Sequence, residues 1–277
     1  VAVTWLEICR ESGGPPHFGH FAGNEPMYAS SLAQLFYAVA AYKKLADQGI
    51  SQSKIESDIE AMLAENDYEA ANRVVDFVTG TESGDELTGG DFKAFKRQRN
   101  VVNRYFRDLG FENFNVNQKF WTDTPSPRDL QLLGKPLSQN YEHSNRVTAN
   151  QVAALAYLID REAIVSPQAC QKIKSYCSRH VDQAKIGALA GIAAGLPRGA
   201  KMWGVKGFTR QNYNEVAVVD LPNGSRYVLA VLSRYQQRPN NFATQVSRIA
   251  AHRAMMKTGD DERTEYVLQT ALSGASQ

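Results

Sequence analysis

The stretch YNEVAVVDLPNGSRYVLAVLS, residues 213–233, predicts two antiparallel strands joined by a tight turn. Both arms are rich in β-branched and apolar side chains, and Pro222-Asn223-Gly224 lies between them. Asn-Gly in that position is a strong hairpin signal. We expect one more strand over Lys201–Thr209, immediately before the hairpin. The C-terminal part of the chain therefore contributes three neighbouring strands to a sheet.

The first residues of the chain predict two further strands. Val1–Ile8 is apolar and β-branched, and His17–Ala22 follows after the loop Ser12-Gly13-Gly14-Pro15-Pro16. Because strands lie at both ends of the chain, with helices between them, the class is α+β rather than alternating βαβ. We predict one five-stranded antiparallel sheet that is built from both chain ends.

Helical spacing of apolar residues begins at Ser31, and Gly49 marks the end of that first helix. The remaining predicted helices are Ser53–Ala64, Tyr68–Val78, Phe92–Leu109, Ala149–Arg161, one that starts after Ser166-Pro167, and one from Pro239-Asn240-Asn241 to about Met256. Thr122–Asn145 is predicted to be a long polar loop. We expect a single domain, in which 1–27 and 198–256 form the α/β part, 28–197 the mainly helical part and 257–277 a tail.

The charge balance argues against a polyanionic partner. The chain has 31 basic and 29 acidic residues, a net charge of +2. Its one basic cluster comprises Lys93, Lys96, Arg97, Arg99, Arg104 and Arg107. We interpret the cluster as a solvated helix face with no nucleic acid bound. The longest apolar stretch, 186–196, is too short to span a membrane.

Cysteine and histidine usage gives no metal signal. Cys170 and Cys177 are seven residues apart on a predicted helix, about 10 Å by helical rise, which is too far for a disulfide. Cys9 is alone, and CxxC does not occur. His17 and His20 are expected at the surface of an edge strand. We therefore expect neither metal nor cofactor.

Several segments occur in an order that identifies a family. They are Met27–Phe36 (MYASSLAQLF), Asn66–Asn72 (NDYEAAN), Asn145–Ala149 (NRVTA), Leu196-Pro197, Val205–Gly207, Ala217–Val219 and Tyr227–Ser233. Together with the element order, they resemble the serine β-lactamase and penicillin-binding-protein superfamily, and class A most closely. The resemblance covers nearly the whole chain. It implies a cleft in which three short motifs meet.

The resemblance implies that Ser31 is the nucleophile. The family places a lysine three residues later, so that its amine lies beside the serine hydroxyl on one helix face. In this chain that position is Gln34, whose amide cannot accept and return a proton near neutral pH. General-base assistance is worth about 10²–10⁴-fold, so we expect base-assisted acylation to be largely lost.

The other two motifs are also altered. Asn66-Asp67-Tyr68 stands where the family has Ser-Asp-Asn, so Asn66 cannot readily relay a proton and Tyr68 is a bulky substrate-binding residue. Val205-Lys206-Gly207 stands where the family has Lys-Thr-Gly, with the basic residue moved by one place. Neighbouring residues of a strand point to opposite faces, so this shift is expected to turn Lys206 away from the cleft. A local bulge in the strand would turn it back.

The strand that carries the third motif is expected to form the substrate-binding wall. Gly207, Phe208 and Thr209 are the candidate residues, and the Phe208 N–H would complete an oxyanion hole with the Ser31 N–H. Lys257-Thr258-Gly259 spells the family motif in the wrong context, and we interpret it as a chance match.

Class A enzymes also use a glutamate to activate the deacylating water. Counting back from Asn145 by the family's loop length lands near Gly134, which is not an acid. Asp129 and Glu142 are the nearest carboxylates, and we interpret both as solvent-facing acids.

We therefore predict a class A β-lactamase-like protein whose β-lactam hydrolysis is weak or lost. Two alternatives stay open: a non-catalytic protein that binds a ligand in the cleft, and a slow esterase that depends on Ser31. The expected ligand is a β-lactam or a cell-wall peptide, and the expected state is a monomer. The resemblance implies a periplasmic or secreted location, although the sequence leaves the cytoplasm open.

Overall fold

The computed structural model describes residues 1–8, 16–121, 124–134, 143–181, 191–209, 211–234 and 239–256. Sequence features that lie outside these ranges are Cys9, most of the loop 12–16, Glu142, the first part of the apolar stretch 186–196, the Lys257-Thr258-Gly259 match and the predicted tail.

A six-stranded antiparallel sheet organises the molecule. Its strands are β1 (Ala2–Glu7), β2 (Phe18–Phe21), β5 (Ser178–Arg179), β6 (Lys201–Phe208), β7 (Asn212–Asp220) and β8 (Arg226–Arg234). Their order across the sheet is β2-β1-β8-β7-β6-β5. The predicted α+β class, with an antiparallel sheet from both chain ends, is confirmed. The structure adds the two-residue edge strand β5, which is too short to give a sequence signal.

Pairing in the C-terminal sheet is regular. The turn between β7 and β8 closes where the Leu221 N–H donates to the Ser225 carbonyl at 2.9 Å. Gly224 adopts a φ of +88°, which favours glycine. The β6–β7 ladder pairs residue by residue from Lys201 with Asp220 to Phe208 with Tyr213. No bulge interrupts these pairs, so side chains alternate strictly between the two faces of β6.

A second, two-stranded sheet joins β3 (Met27–Tyr28) to β4 (Arg146–Val147). The helices of the described ranges are α1 (Ala33–Gln48), α2 (Glu56–Glu60), α3 (Tyr68–Thr79), α4 (Gly89–Arg99), α5 (Val101–Asp108), α6 (Pro127–Leu133), α7 (Ala149–Asp160), α8 (Pro167–Tyr176), α9 (Gly191–Gly195) and α10 (Pro239–Met255). A 3₁₀ turn, Ser30–Leu32, leads directly into α1.

Two hydrophobic layers cover the two faces of the six-stranded sheet. On the front face, Trp203 and Val205 pack with Val216 and with the helices α1, α3 and α7. On the rear face, Met202 and Ala217 pack with α9 and α10. Odd-numbered residues of β6 therefore face the front layer, and even-numbered residues face the rear layer.

Three predicted segments differ from the structure. The helix predicted over Phe92–Leu109 is broken at Asn100, whose side-chain amide donates to the Lys96 carbonyl at 2.8 Å. The loop predicted over 122–145 contains α6, which Ser126 caps through the Asp129 N–H. The helix predicted over Ser53–Ala64 is α2 followed by a π-helical turn, Ala61–Glu65.

Three further observations concern the cysteines, His20 and the lengths of the helices. Cys170 and Cys177 are buried free thiols. His20 is exposed on the edge strand β2, as predicted, and its Nδ1 accepts the Gly23 N–H at 3.2 Å. Within the described ranges, each helix falls short of the length or the apolar character that a membrane crossing needs.

Candidate active site

Ser31 lies in the 3₁₀ turn at the start of α1, and the small sheet fixes that turn. Strand β3 pairs with β4, and the next residue, Ala29, donates its N–H to the Asn145 carbonyl at 2.8 Å. Ser30 has a φ of +50°, an uncommon value for a residue with a side chain. The backbone around Ser31 is thus held in a strained conformation, a feature that concentrates at functional sites.

Ser31 is closed off from solvent. It is 0% exposed, and its Oγ shares a hydrogen bond with the Tyr68 hydroxyl at 3.3 Å. Tyr68 is half-buried. Its ring lies 5.6 Å from that of Phe120, centroid to centroid. The predicted nucleophile and the predicted substrate-binding tyrosine are therefore in direct contact.

Gln34 stands one helical turn beyond Ser31 and is 1% exposed. Its Nε2 donates to Asn66 Oδ1 at 2.9 Å. Asn66 has a φ of +58° and lies between the π-helical turn and α3. Two carboxamides thus occupy the positions where the family resemblance puts a lysine and a serine.

Asp67, the middle residue of the second motif, stabilises the start of helix α3. Asp67 is the N-cap of α3, and its carboxylate accepts the N–H groups of Glu69 and Ala70 at 2.8 and 3.1 Å. Farther along α3, the Asn72 carboxamide binds both the N–H and the carbonyl of Phe120 at 2.8 Å. These contacts fix the helix that carries Tyr68 and the aromatic ring on which Tyr68 packs.

Gly207 brings strand β6 against the serine turn. A Cβ at this position would lie 2.4 Å from the Ser31 nitrogen and 2.7 Å from Ser30 Oγ. Only a glycine allows this approach. Gly204 donates its N–H to the Cys177 carbonyl, on the side of β6 away from β7. By alternation, the Phe208 N–H points to that same side.

Phe208 and Thr209 form an exposed rim. The Phe208 side chain is 47% exposed. The Thr209 hydroxyl accepts the N–H groups of Gln211 and Asn212, each at 3.1 Å, in the turn that leads to β7. Thr209 therefore also shapes the end of the strand on which the candidate substrate wall is built.

Lys206 lies on the other face of the sheet. It pairs across the ladder with Glu215, whose Oε2 accepts the Tyr213 hydroxyl and the Ile192 N–H, both at 2.8 Å. Burial raises the pKa of Glu215 to about 7, although Lys206 acts to lower it. The uninterrupted register answers the question left open by the sequence, because no bulge turns Lys206 toward Ser31.

The interpretation of Asp129 as a solvent-facing acid is wrong. Asp129 is 0% exposed and forms an ion pair with Arg99, which is also fully buried. Its Oδ2 accepts the hydroxyls of Ser83 and Ser126, both at 2.7 Å. The solvated helix face predicted for the basic cluster therefore does not include Arg99. Burial was hidden from the sequence because an isolated Arg and Asp normally stay in water.

The structure therefore brings together Ser31, Gln34, Asn66, Tyr68 and Gly207, and it separates Lys206 from them. Sequence reasoning missed the contribution of Phe120 and Asn72, since their pairing spans 48 residues. Across the described residues, no group of three His, Cys, Asp or Glu side chains is arranged to hold a metal ion.

Comparison with known proteins bears on the family and the fold of this chain. A family model described as the beta-lactamase enzyme family matches residues 95–254. No curated protein sequence matches the chain. Similar solved structures are a mutant of PBP-A in an acyl-enzyme complex with penicillin G, a β-lactamase from Sphaerobacter thermophilus and one from Burkholderia vietnamiensis.

Each of these structures shares the fold at low sequence identity. The PBP-A mutant is 20% identical, with a TM-score of 0.65 over 93% of this chain and 91% of that chain. The Sphaerobacter enzyme is 15% identical, with a TM-score of 0.59 over 92% and 90%. The Burkholderia enzyme is 14% identical, with a TM-score of 0.62 over 92% of each chain.

Proposed function

Since this chain belongs to the beta-lactamase enzyme family, we propose that it keeps the family cleft while its hydrolysis of β-lactams is weak or lost. The resemblance to the serine β-lactamase and penicillin-binding-protein superfamily, predicted from the motifs, is confirmed. One observation carries the functional step: Ser31 is fully buried, and its Oγ is hydrogen-bonded to Tyr68.

Attack by a serine requires a nearby group that takes the hydroxyl proton. Gln34 and Asn66 are amides and are hydrogen-bonded to each other. The Lys206 amine belongs to the rear face, on the far side of the sheet from Ser31. Among the described residues the hydrogen-bond partner of Ser31 Oγ is the Tyr68 hydroxyl, which is not a basic group. We therefore expect a loss of about 10²–10⁴-fold in acylation rate relative to a serine with a positioned base.

A slow, Ser31-dependent esterase is the second candidate, and one feature favours it. Gly207 still allows β6 to approach the Ser31 nitrogen, and the Phe208 N–H points away from β7. The N–H groups of Ser31 and Phe208 would together stabilise the oxyanion that forms when an ester is attacked. An activated ester needs less help from a base than an amide, so residual chemistry is expected there first.

The ligand class follows by analogy with the similar proteins. A mutant of PBP-A is described as an acyl-enzyme complex with penicillin G, so a penicillin is the first ligand to test. A β-lactam or a cell-wall peptide fits the proposal, as does a periplasmic or secreted location.

Two measurements on purified protein test the proposal. We expect nitrocefin hydrolysis to stay at background and to be the same in Ser31→Ala. Incubation with a fluorescent penicillin, followed by intact-mass measurement, reports any adduct. Ser30→Ala is the matched control, because it removes the neighbouring hydroxyl and keeps Ser31.

The outcomes separate the candidates. Background hydrolysis without an adduct supports a binding protein. A slow adduct that Ser31→Ala abolishes and Ser30→Ala retains supports the slow esterase. Rapid nitrocefin turnover that disappears in Ser31→Ala would contradict the proposal.

A further inference from the structure

Basic residues are concentrated on α4 and α5, away from the candidate active site. Between residues 89 and 108 there are six basic and two acidic residues, a net charge of +4, whereas the whole chain carries +2. The remainder of the chain is therefore slightly acidic. Arg99 is withdrawn from the surface by its ion pair with Asp129. Lys96 lies 5.6 Å from the centre of the Phe92 ring.

Three of the remaining cations surround a hollow. Its volume is about 520 Å³, and it is lined by Gly90, Lys93, Ala94, Arg97, Gln98 and Arg104. We call it the basic hollow. No carboxylate is among these residues. All six residues are exposed, so the basic hollow is a surface depression that a ligand can enter from solvent.

The acids of this region lie elsewhere. Asp76, Glu82 and Asp91 line a neighbouring hollow of about 620 Å³, which shares Ala94 and Gln98 with the basic hollow. In that hollow Arg128 is engaged, since its Nη1 donates to the Glu82 carbonyl at 3.1 Å. On its other side the basic hollow shares Gln98 and Arg104 with a hollow that Asp47 and Asp108 also line. The acids of this region therefore lie around the basic hollow and not among its lining residues.

The cations of the basic hollow are positioned but not neutralised. Arg104 Nη1 donates to the Arg97 carbonyl at 2.6 Å, which fixes this guanidinium over the junction of α4 and α5. Lys93 and Arg97 have no carboxylate partner among the residues that the structure describes. A ligand anion would replace water around these charges without breaking an existing ion pair.

The helix itself adds donors at one end of the basic hollow. The first N–H groups of a helix have no partner inside it, and they form its positive end. Thr88 precedes α4 and makes no side-chain cap, but its carbonyl accepts the N–H groups of Asp91 and Phe92, and Asp91 is an acid in this first turn. The donor that remains at the hollow is the Gly90 N–H. Gly89 and Gly90 leave open space where a Cβ would be. An anion can therefore approach the backbone directly at Gly90.

We propose that the basic hollow binds a short linear phosphate-bearing anion. Gly90 and Arg97 are seven residues apart, about 10 Å along a helix, so the donors suit several linked phosphate groups better than one. Arg presents a planar fork to phosphate oxygens, and Lys presents a point charge.

Calorimetric titration with sodium tripolyphosphate at low salt tests the proposal. We expect binding about tenfold tighter than with orthophosphate, because more charges pair with the same cations. Arg97→Glu should weaken tripolyphosphate binding by about tenfold or more. Arg198→Glu is the matched control, since it makes the same change of charge at an exposed residue outside the hollow.

The remaining outcomes overturn the proposal. Absence of tripolyphosphate binding would do so, as would equal weakening by Arg97→Glu and Arg198→Glu, which would indicate a general charge effect. Binding only to phosphatidylglycerol vesicles, or only to a DNA duplex, would assign the surface to a macromolecule instead. Circular dichroism of both variants verifies that each one is folded.

Discussion

Gly207 shows how one residue positions the candidate site. Its missing side chain allows a strand of the sheet to lie against the Ser31 turn, where a Cβ would be 2.4 Å from a backbone nitrogen. Backbone atoms cannot rotate away as a flexible side chain can. The third motif therefore retains its glycine for a steric reason that persists even if catalysis is lost.

Gly207→Ala is predicted to destabilise the protein. Forcing a methyl group into this contact should lower the free energy of unfolding by about 1–3 kcal/mol. Urea denaturation measures the change. Gly19→Ala is the control, because nothing lies within 4 Å of its added Cβ and it is also in a strand of the sheet. Equal stability of the two variants would contradict the close approach of β6.

The buried carboxyl group of Glu215 is expected to make the free energy of unfolding depend on pH. Burial raises its pKa from 4.5 to about 7. The folded protein therefore keeps a proton that the unfolded chain releases between these pH values. Stability from this group is complete below about pH 4.5 and is lost as pH rises toward about 7, at up to about 1.4 kcal/mol per pH unit.

The Glu215→Gln variant isolates that contribution. Its stability relative to the parent protein should improve as the pH is raised from 5 to 8, because the amide has no proton to lose. Chemical denaturation at several pH values gives the difference. Glu25→Gln, at an exposed position, is the control. A constant difference between parent and Glu215→Gln across this range would show that the carboxyl does not titrate there.

At the scale of elements, α3 connects the second motif to the fold. Asp67 caps the helix that carries Tyr68 toward Ser31. We predict that Asp67→Ala lowers the free energy of unfolding by about 1 kcal/mol, and that Asp67→Asn restores most of it, since both Asp and Asn accept N–H groups. Thermal unfolding is the measurement. If Asn were as damaging as Ala, the role of Asp67 would not be capping.

The elements differ in how far their sequences predict them. The β7–β8 hairpin was predictable because its turn and its alternation are local signals. Helix α6 was missed although Ser126-Pro127 is the same start signal that located α8 at Ser166-Pro167. The polar character of 122–145 outweighed that signal. Because α6 was missed, the ion pair between Asp129 on α6 and Arg99 on α4 was missed as well. No local sequence pattern encodes this pair.

The residues of the candidate site also differ in how far the sequence predicts their positions. Ser31, Gln34, Asn66 and Tyr68 are brought together as their motifs suggest, because the first two lie at the N-terminal end of α1 and the last two lie at the N-terminal end of α3. The face of Lys206 depended on the β6–β7 register, which becomes definite only when the whole ladder is paired. The burial of Ser31 depends on contacts from distant parts of the chain, so composition and spacing could not reveal it.

For the whole molecule, the candidate site depends on three elements that meet only in the folded chain: α1 with Gln34, α3 with Tyr68, and β6 with Gly207. Restoring one motif should therefore not restore the activity. A lysine at position 34 would be buried at a site where the present side chain is 1% exposed. Its amine would replace the Gln34 amide as the donor to Asn66, and it would place a charge at this buried position.

Gln34→Lys is predicted to leave nitrocefin hydrolysis within about twofold of background, while the free energy of unfolding falls by about 1–3 kcal/mol, the cost of an unsatisfied buried polar group. Gln34→Met is the control, because it removes the donor to Asn66 without adding an amine. A larger loss in Gln34→Lys than in Gln34→Met assigns the difference to the buried charge. Strong hydrolysis in Gln34→Lys would contradict the prediction. It would mean that the residues of α3 and β6 already support catalysis, and that Gln34 alone keeps Ser31 from reacting.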